Sequence, residues 1–552
     1  MNQFDSRSNK HFSSYLPSPQ SNSIFLGPIS HSEITKIVCD LNPGNSAGID
    51  GSSSKIVKEI LSEIILPLQH IINLSFKTGV FPSAFKEVRI VPLHKGDSPE
   101  NPSNYRPISI LSAFSKILEK AIYKRFYDFL KSSNFFTNFQ FGFRSGHNTE
   151  HAIGAFIQYI HECLDRGEIP ATIYLDFKKA FDTISHCILF SKLDNCGVRG
   201  PALDLVKSYL DKRKQRLDGG NFLSSPVHQS SKVGVPQGSV LGPLLFLIYI
   251  NDFHRAFTSP CLNTHFADDT AVSISEKNDE ELEANLNTAL SNVLDWCSSN
   301  FIALNVSKTN FIIYGRKSNI CPRITRVTSS KYLLSISRVK MIKYLGLVID
   351  ESLSFKTHIQ NLRLKISRYV GLMRRLKLCL PYSALRSIYF ALIQTNINYC
   401  SLVYLSTFKS HIKPIQILQN KALRILKLFI PSPIELPNKS STASLYTYLD
   451  ILPVSQQFAF GAILFKINYD IKKLPPYYLH QSLFSQSQDL HNYNTRQKKD
   501  IYIDKYNTER SKFAPFLSIA RCWDAHKALI DNFSSIHLIK RKLKFHLVQD
   551  YF

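Results

Sequence analysis

Two β-favouring runs that each end in carboxylates constrain the fold of this 552-residue chain more than any other feature. Ala171-Thr-Ile-Tyr-Leu175 runs into Asp176-Phe177, and Thr264-His-Phe-Ala267 leads through Asp268-Asp269 back into Thr270-Ala-Val272. β-Branched and aromatic residues of this kind favour paired strands, and Asp tolerates turn geometry, so the second run reads as a hairpin with two acids at its tip. An Asp-Asp turn alone is ordinarily just a turn, and a strand can end in Asp for no chemical reason. Side by side, however, carboxylates at a strand end and a neighbouring hairpin tip can bridge two Mg²⁺ ions about 4 Å apart, as in-line phosphoryl displacement requires.

Between the clusters lies Gly234-Val-Pro-Gln237-Gly238-Ser239, followed by an apolar run from Val240 to Ile250 and then Asn251-Asp252. Gly238 permits close backbone approach to a ligand, and Ser239 is placed to cap a following helix. That helix is apolar nearly all round and therefore buried. A core helix accounts for Val240 to Ile250 but gives no reason for Pro-Gln-Gly followed by Gly-Pro.

The ordered set Leu175-Asp-Phe-Lys-Lys-Ala-Phe181-Asp182, Val235-Pro-Gln-Gly-Ser-Val-Leu-Gly-Pro243 and Phe266-Ala-Asp-Asp269 resembles motifs A, B and C of reverse transcriptases from non-LTR retrotransposons, most closely the jockey-like group. Upstream, Asn104-Tyr-Arg-Pro-Ile-Ser109 and Gln140-Phe-Gly-Phe-Arg144 resemble the family's finger motifs. Downstream, Trp296, Leu304-Asn-Val-Ser-Lys308-Thr309 and Lys343-Tyr-Leu-Gly346 resemble its later palm motifs, so the likeness runs from about Ser46 to the C-terminus. Gly48-Ile-Asp50-Gly51 resembles the pre-finger motif, with Asn45 where a lysine is usual.

The resemblance implies an α+β right-hand polymerase: fingers, a palm with an antiparallel sheet, a thumb, and a helical basic C-terminal region. Residues 1–28, rich in Ser, Asn and Pro, read as a flexible lead-in, and order is expected from Ile29, with Ser32 a possible cap. Residues 29–71 then extend the fingers, 72–350 form the reverse transcriptase domain of fingers and palm, 351–440 the basic helical thumb, and 441–552 a C-terminal region of unknown role. Lys178 to Leu193 is expected as the helix after the first carboxylate strand.

Site residues carried over from the family are specific. Asp176 would ligate both of two Mg²⁺ ions, with Mn²⁺ possible, Asp268 would be the second indispensable ligand, Asp269 a weaker or electrostatic partner, and the backbone carbonyl of Phe177 would complete a shell. Lys95 and Arg106 would clamp the triphosphate, a point charge beside a planar fork. Gln237 and Gly238 would contact the incoming dNTP, and Phe181 would collide with a ribose 2′-hydroxyl, so that deoxynucleotides are preferred. Helical spacing with Ile184 and Leu189 also reads Phe181 as a core residue. Lys308 is a candidate acid for pyrophosphate or a solvated charge, Asp182 is assigned a structural bond, and Gly346 would bring backbone to the primer in a grip hairpin over Lys343–Asp350.

Composition agrees with a nucleic-acid enzyme. Lys and Arg number 67 against 42 acids, a net charge of +25 that favours a phosphate polymer as partner. Residues 361–440 carry 13 Lys or Arg against one acid, Glu435. There Leu362, Ile366, Tyr369, Val370 and Met373 form an apolar face, and Arg363, Lys365, Arg368, Arg374, Arg375 and Lys377 make the surrounding surface basic. If about six phosphates are neutralised, binding should fall with a log-log salt slope near −5. No apolar run reaches the roughly 18 residues of a membrane span, so no membrane partner is expected. The ten cysteines show no disulfide or zinc spacing.

The expected activity is RNA-directed DNA polymerisation: a primer 3′-hydroxyl attacks a dNTP on an RNA template, with partners that include the RNA·DNA duplex and the element's own RNA in a ribonucleoprotein. A catalytically inactive relic that only binds RNA and an intron maturase-like RNA-folding protein are the alternatives. The family implies nuclear action with cytoplasmic ribonucleoprotein assembly. With Met1 this near the finger motifs, the family's N-terminal endonuclease is not expected within these residues, which would be either a fragment of a longer element product or a stand-alone copy; no RNase H arrangement is matched near Asn494-Thr-Arg-Gln497, Arg521-Cys-Trp523 or Lys540–Phe545.

Overall fold

The computed structural model describes residues 10–550 apart from 45, 97, 220–223, 226, 229–231, 258–260, 316–322, 429–442, 482, 485–500, 502–512 and 528–535. Its strands are β1 (Glu87–His94), β2 (Tyr105–Ile110), β3 (Ile169–Leu175), β4 (Lys214–Leu217), β5 (Val227–His228), β6 (Leu262–Phe266), β7 (Asp269–Glu276), β8 (Asn310–Ile313), β9 (Arg326–Ser329), β10 (Leu334–Arg338), β11 (Met341–Tyr344) and β12 (Leu347–Asp350). They form a six-stranded sheet in the order β6-β7-β3-β8-β10-β9, a four-stranded sheet in the order β2-β1-β4-β5, and a separate hairpin of β11 and β12.

β3 lies inside the larger sheet, antiparallel to β7 on one side and β8 on the other. Successive side chains of a strand point to opposite faces, and each face of this one is covered. Ala171, Ile173 and Leu175 join a core that includes the Asp279–Ser299 helix, whereas Tyr174 joins a second core with Phe156 of the Thr149–Asp165 helix. That two-sided cover is why the run before Asp176 is apolar apart from Thr172, whose hydroxyl is paired with that of Ser273 at 2.9 Å. The sheet is antiparallel except where β8 and β10 run parallel. The α+β class with an antiparallel central sheet is therefore found as expected.

The Leu241–Ile250 helix is buried along its length, as its all-round apolarity requires. Ser239 serves it from just outside: its hydroxyl accepts from Gly242 N at 3.0 Å and donates to Pro236 O at 2.8 Å. A second partner was not legible in the sequence. Glu119, buried in the Ala113–Ser132 helix, accepts from Val240 N at 2.8 Å and Leu241 N at 3.2 Å, and burial pushes its carboxyl up.

In the basic region, the Lys356–Leu376 helix buries Ile359, Leu362, Ile366, Val370 and Met373, with Tyr369 half-buried. Arg363, Lys365, Arg368, Arg374 and Arg375 are exposed on its other side. The apolar face packs into one core with Ile412, Ile415 and Leu423 of the Lys409–Lys427 helix.

Three local expectations are corrected. The lead-in is not loose over its described part: Gln20 N donates to Asn195 O, Ile24 N donates to Gly197 O, and Tyr15 is buried. The first long helix is capped by Ser30, whose hydroxyl accepts from Glu33 N while Glu33 reaches back, and not by Ser32. The helix after β3 begins only at His186; Lys178 to Thr183 form turns, with Lys179 at φ 48°. Asn45, Glu435 and Asn494–Gln497 lie outside the described residues.

Candidate active site

The register of the large sheet brings the carboxylates together. Leu175 stands opposite Thr270 and Phe266 opposite Asp269, so Ala267 and Asp268 are the two loop residues of a tight hairpin and Asp176 follows onto the level of Asp269. Such loops need a residue at positive φ, here Ala267 at 59°, a conformation costing about 1 kcal/mol for a residue with a Cβ. Something must hold it.

The holder is the Gln140–Gly142 segment. Phe141 N donates to His265 O and His265 N to Phe139 O, laying the segment along β6. Gln140 Oε1 accepts from both Gly142 N at 2.8 Å and Ala267 N at 3.1 Å. A Cβ on Gly142 would lie 2.2 Å from Ala267 N, so only glycine fits against the turn. Gln140 and Gly142 thus have a positioning role that the motif resemblance alone did not give.

On the other side, Asp176 is fixed by the loop before β8. Asn305 N donates to Asp176 O at 2.7 Å, and Asn305 Nδ2 donates to Asp176 Oδ2 at 2.7 Å. Phe177 and Leu304 form the bridge pair whose hydrogen bonds run through their neighbours, Lys178 N to Ala303 O and Asn305 N to Asp176 O. In such a pair the residue's own carbonyl points away from the partner strand, so the Phe177 carbonyl turns toward the Asp268–Asp269 side.

Electrostatics tie the predicted cations to these acids. Burial first, and the Asp176 charge after it, raise the Asp268 carboxyl, while a hydrogen bond from its own backbone and the charges of Arg106 and Lys95 pull the other way; the net effect is upward. Loss of water around it, then the charges of Asp268 and Asp176, push Asp269 up to about 6, again opposed by Lys95 and Arg106. Its side chain reaches solvent, which moderates the repulsion. Three carboxylates and two cations expected from separate motifs therefore share one field. Lys95 and Arg106 come from the smaller sheet: Lys95 N donates to Asn104 O at the end of the β1–β2 hairpin, and Arg106 lies opposite Leu93.

β2 also carries the second group. Ser109 N donates to Gln237 O at 2.8 Å, and a Cβ on Gly238, at φ 98°, would lie 2.8 Å from Ser109 O. The close approach at Gly238 in the fold itself is thus to the backbone of β2. Gln237 Nε2 donates to Asp182 Oδ1 at 2.8 Å, which gives Asp182 the structural bond expected of it. Phe181 is half-buried in a turn, stacked on Phe246 at 4.8 Å and edge-on to Phe143 at 6.1 Å. Lys308 is exposed in the turn that begins at Asn305, where its N–H donates to Asn305 O. Gly346, at φ 82°, turns the β11–β12 hairpin against Tyr399, whose hydroxyl donates to Leu345 O.

Among the described residues no three His, Cys, Asp or Glu converge into a ready metal cage. The donor set nevertheless suits hard divalent cations, since Mg²⁺ takes a few carboxylates plus substrate phosphates and keeps water rather than filling an all-protein cage. Two raised carboxylates beside a third are what a bound cation would relieve.

Residues 93–349 match the family model described as reverse transcriptase (RNA-dependent DNA polymerase). The chain is 30% identical over 423 residues to the probable RNA-directed DNA polymerase from transposon BS of Drosophila melanogaster, covering 74% of this chain and 46% of that protein. It is also 30% identical over 425 residues to the RNA-directed DNA polymerase from mobile element jockey of the same organism, covering 74% and 45%. The chain thus spans about half the length of the curated relatives it matches. Among solved structures, a telomerase chain from Candida albicans shares 12% identity at a TM-score of 0.34 over 72% of this chain and 69% of that one, a likeness too weak to carry an argument.

Proposed function

Because residues 93–349 belong to the reverse transcriptase family and the chain's relatives are RNA-directed DNA polymerases of non-LTR mobile elements, we propose that this chain extends a DNA primer with dNTPs on an RNA template. The observation that carries the reading is the shared field of Asp176, Asp268, Asp269, Lys95 and Arg106. Reverse transcriptases are generally dependent on divalent metal. Asp176, Asp268, Asp269 and the Phe177 carbonyl would hold two such ions, Mg²⁺ foremost, which when bound lower the pKa of the 3′-hydroxyl and neutralise the departing pyrophosphate. Lys95 and Arg106 bind and orient the triphosphate from the fingers side. Asn305 and Gln140 keep the acids in place through the bonds described above. Phe181, braced by Phe246, presents its ring as the barrier to a 2′-hydroxyl.

The test is extension of oligo(dT) on poly(rA) by dTTP. We expect incorporation that requires Mg²⁺ or Mn²⁺, stops with EDTA, and is far slower with rUTP. No extension in spite of salt-sensitive binding to the duplex would contradict the reading and favour an inactive relic.

A further inference from the structure

Away from the carboxylates the fold encloses a cavity of about 870 Å³ walled by four distant parts of the chain: the lead-in near Pro17, residues 134–147, the turn at 251–255, and residues 472–480. The walls are tied together. Thr137 N donates to Asn251 Oδ1 at 3.0 Å, Asn251 Nδ2 donates to Phe135 O at 2.8 Å, and Asn195 Nδ2 donates to Pro17 O at 3.2 Å. Asn138 Nδ2 lies 3.3 Å from His480 Nδ1, which joins the C-terminal segment to the rest. The cavity is therefore built into the fold.

Its lining is strongly one-signed. Lys131, Arg144, Lys192, Arg255, Lys472 and Lys473 face it against a single acid, Asp252. That acid is already neutralised by buried Lys192 at 2.8 Å. Lys131, Arg255, Lys472 and Lys473 are exposed, and none of them is ion-paired with an acid among the described residues. Cations held together without counter-charge repel one another unless an anion occupies the space.

The rest of the lining is mixed, with amide, hydroxyl and imidazole groups such as Asn138, Asn195 and His254 beside an aromatic wall of Phe135, Phe136 and Tyr127. Arg144 lies over the Phe136 ring at 5.2 Å. Among the described residues, Arg144 Nε and His147 Nε2 are buried nitrogens without a hydrogen-bond partner. Burial and the Arg144 charge push His147 down to about 4, so its imidazole is neutral. A volume of this size lies in the range of pockets that enclose organic ligands, roughly 300–1,000 Å³. Cations at the rim with planar apolar groups inside are the combination that holds single strands, phosphates on the charges and bases on the rings.

We infer that this cavity binds a single-stranded polynucleotide, with phosphates at Lys131, Arg255, Lys472 and Lys473 and a base against the apolar wall. An acidic peptide would satisfy the charges but not use the aromatic wall. The inference rests on the proposed polymerase only for which strand arrives, the RNA lying outside the duplex.

The test uses the full chain, an unstructured single-stranded RNA carrying 4-thiouridine, and the triple variant Arg255→Gln/Lys472→Gln/Lys473→Gln. All three side chains are exposed, so the fold should survive, and unchanged binding to a blunt RNA·DNA duplex checks that it has. We expect photo-crosslinks within residues 131–147 or 472–480 for the wild type, and a log-log salt slope less steep by about 2 in the variant, near 0.7 per lost phosphate contact. An unchanged slope, or crosslinks confined to the Lys356–Lys427 region, would overturn the assignment. So would displacement of all cavity crosslinks by an oligo-glutamate peptide at concentrations that leave binding elsewhere intact. None of these readouts needs polymerase activity, so they stand apart from the test of the proposed function.

Discussion

Gly142 has no room for a methyl group, because the atom it would meet at 2.2 Å is the backbone nitrogen of the carboxylate turn. Gly142→Ala should therefore shift Asp268 while leaving duplex binding in place, and a misplacement of about 1 Å is enough to slow chemistry on the order of 100-fold. The check is single-turnover dTTP addition beside duplex affinity; equal loss of both would mean a general folding defect. Glu168, at the edge of β3, gives a prediction in pH. Hydrogen bonds from Arg166 hold its carboxyl down at about 2, and Ser275 adds a third bond. A depressed carboxylate stabilises the fold above its unfolded pKa and loses that stabilisation as pH falls toward the folded value. Urea midpoints of Glu168→Gln should thus lie below wild type at pH 7, and the gap should narrow below about pH 4. At this scale the acids and cations were legible as residue types in ordered motifs. The Asn305 bond to Asp176 and the Gln140 clamp on Ala267 were not, since each joins residues more than 120 positions apart and leaves no local pattern.

Elements were legible where burial imposed a period and misread where turns imitated one. Phe181, Ile184 and Leu189 have helical spacing, yet the chain leaves β3 through the bridge at Phe177 and then turns, with the helix delayed to His186. The spacing was real, but it came from a turn and a helix packed on the same core. The Lys356–Leu376 helix, whose apolar and basic faces are both long, fell as expected. Between elements, the buried join is ionic: Lys192 reaches Tyr249 O at 2.6 Å and Asp252, and Trp296 Nε1 donates to Asp252 Oδ1 at 3.1 Å. Lys192→Met leaves that acid buried and unpaired, so we expect a loss of about 3–5 kcal/mol by urea unfolding. Adding Asp252→Leu should recover much of it, because an apolar pair need not be charged to pack. No recovery would show that Trp296 or Tyr249 depends on the acid itself.

For the whole molecule, the sheet that carries Asp176, Asp268 and Asp269 and the sheet that carries Lys95 and Arg106 are separate, and the site exists only where they meet. β2 makes that meeting specific, since it bears Arg106 and, three residues on, the Ser109 that receives Gln237 and Gly238. The class of the fold and its order of motifs were readable from the chain. The fastening of residues 10–28 was not, because backbone bonds from Gln20 and Ile24 hold a segment whose Ser, Asn and Pro content reads as loose. The most direct measurement of the central claim is the rate of dTTP addition to a preformed poly(rA)·oligo(dT) complex by wild type and by Asp268→Ala, with duplex affinity measured alongside. Loss of extension by several orders of magnitude at unchanged affinity is the expected result; extension that survives in Asp268→Ala would contradict the assignment of this carboxylate cluster as the polymerase centre.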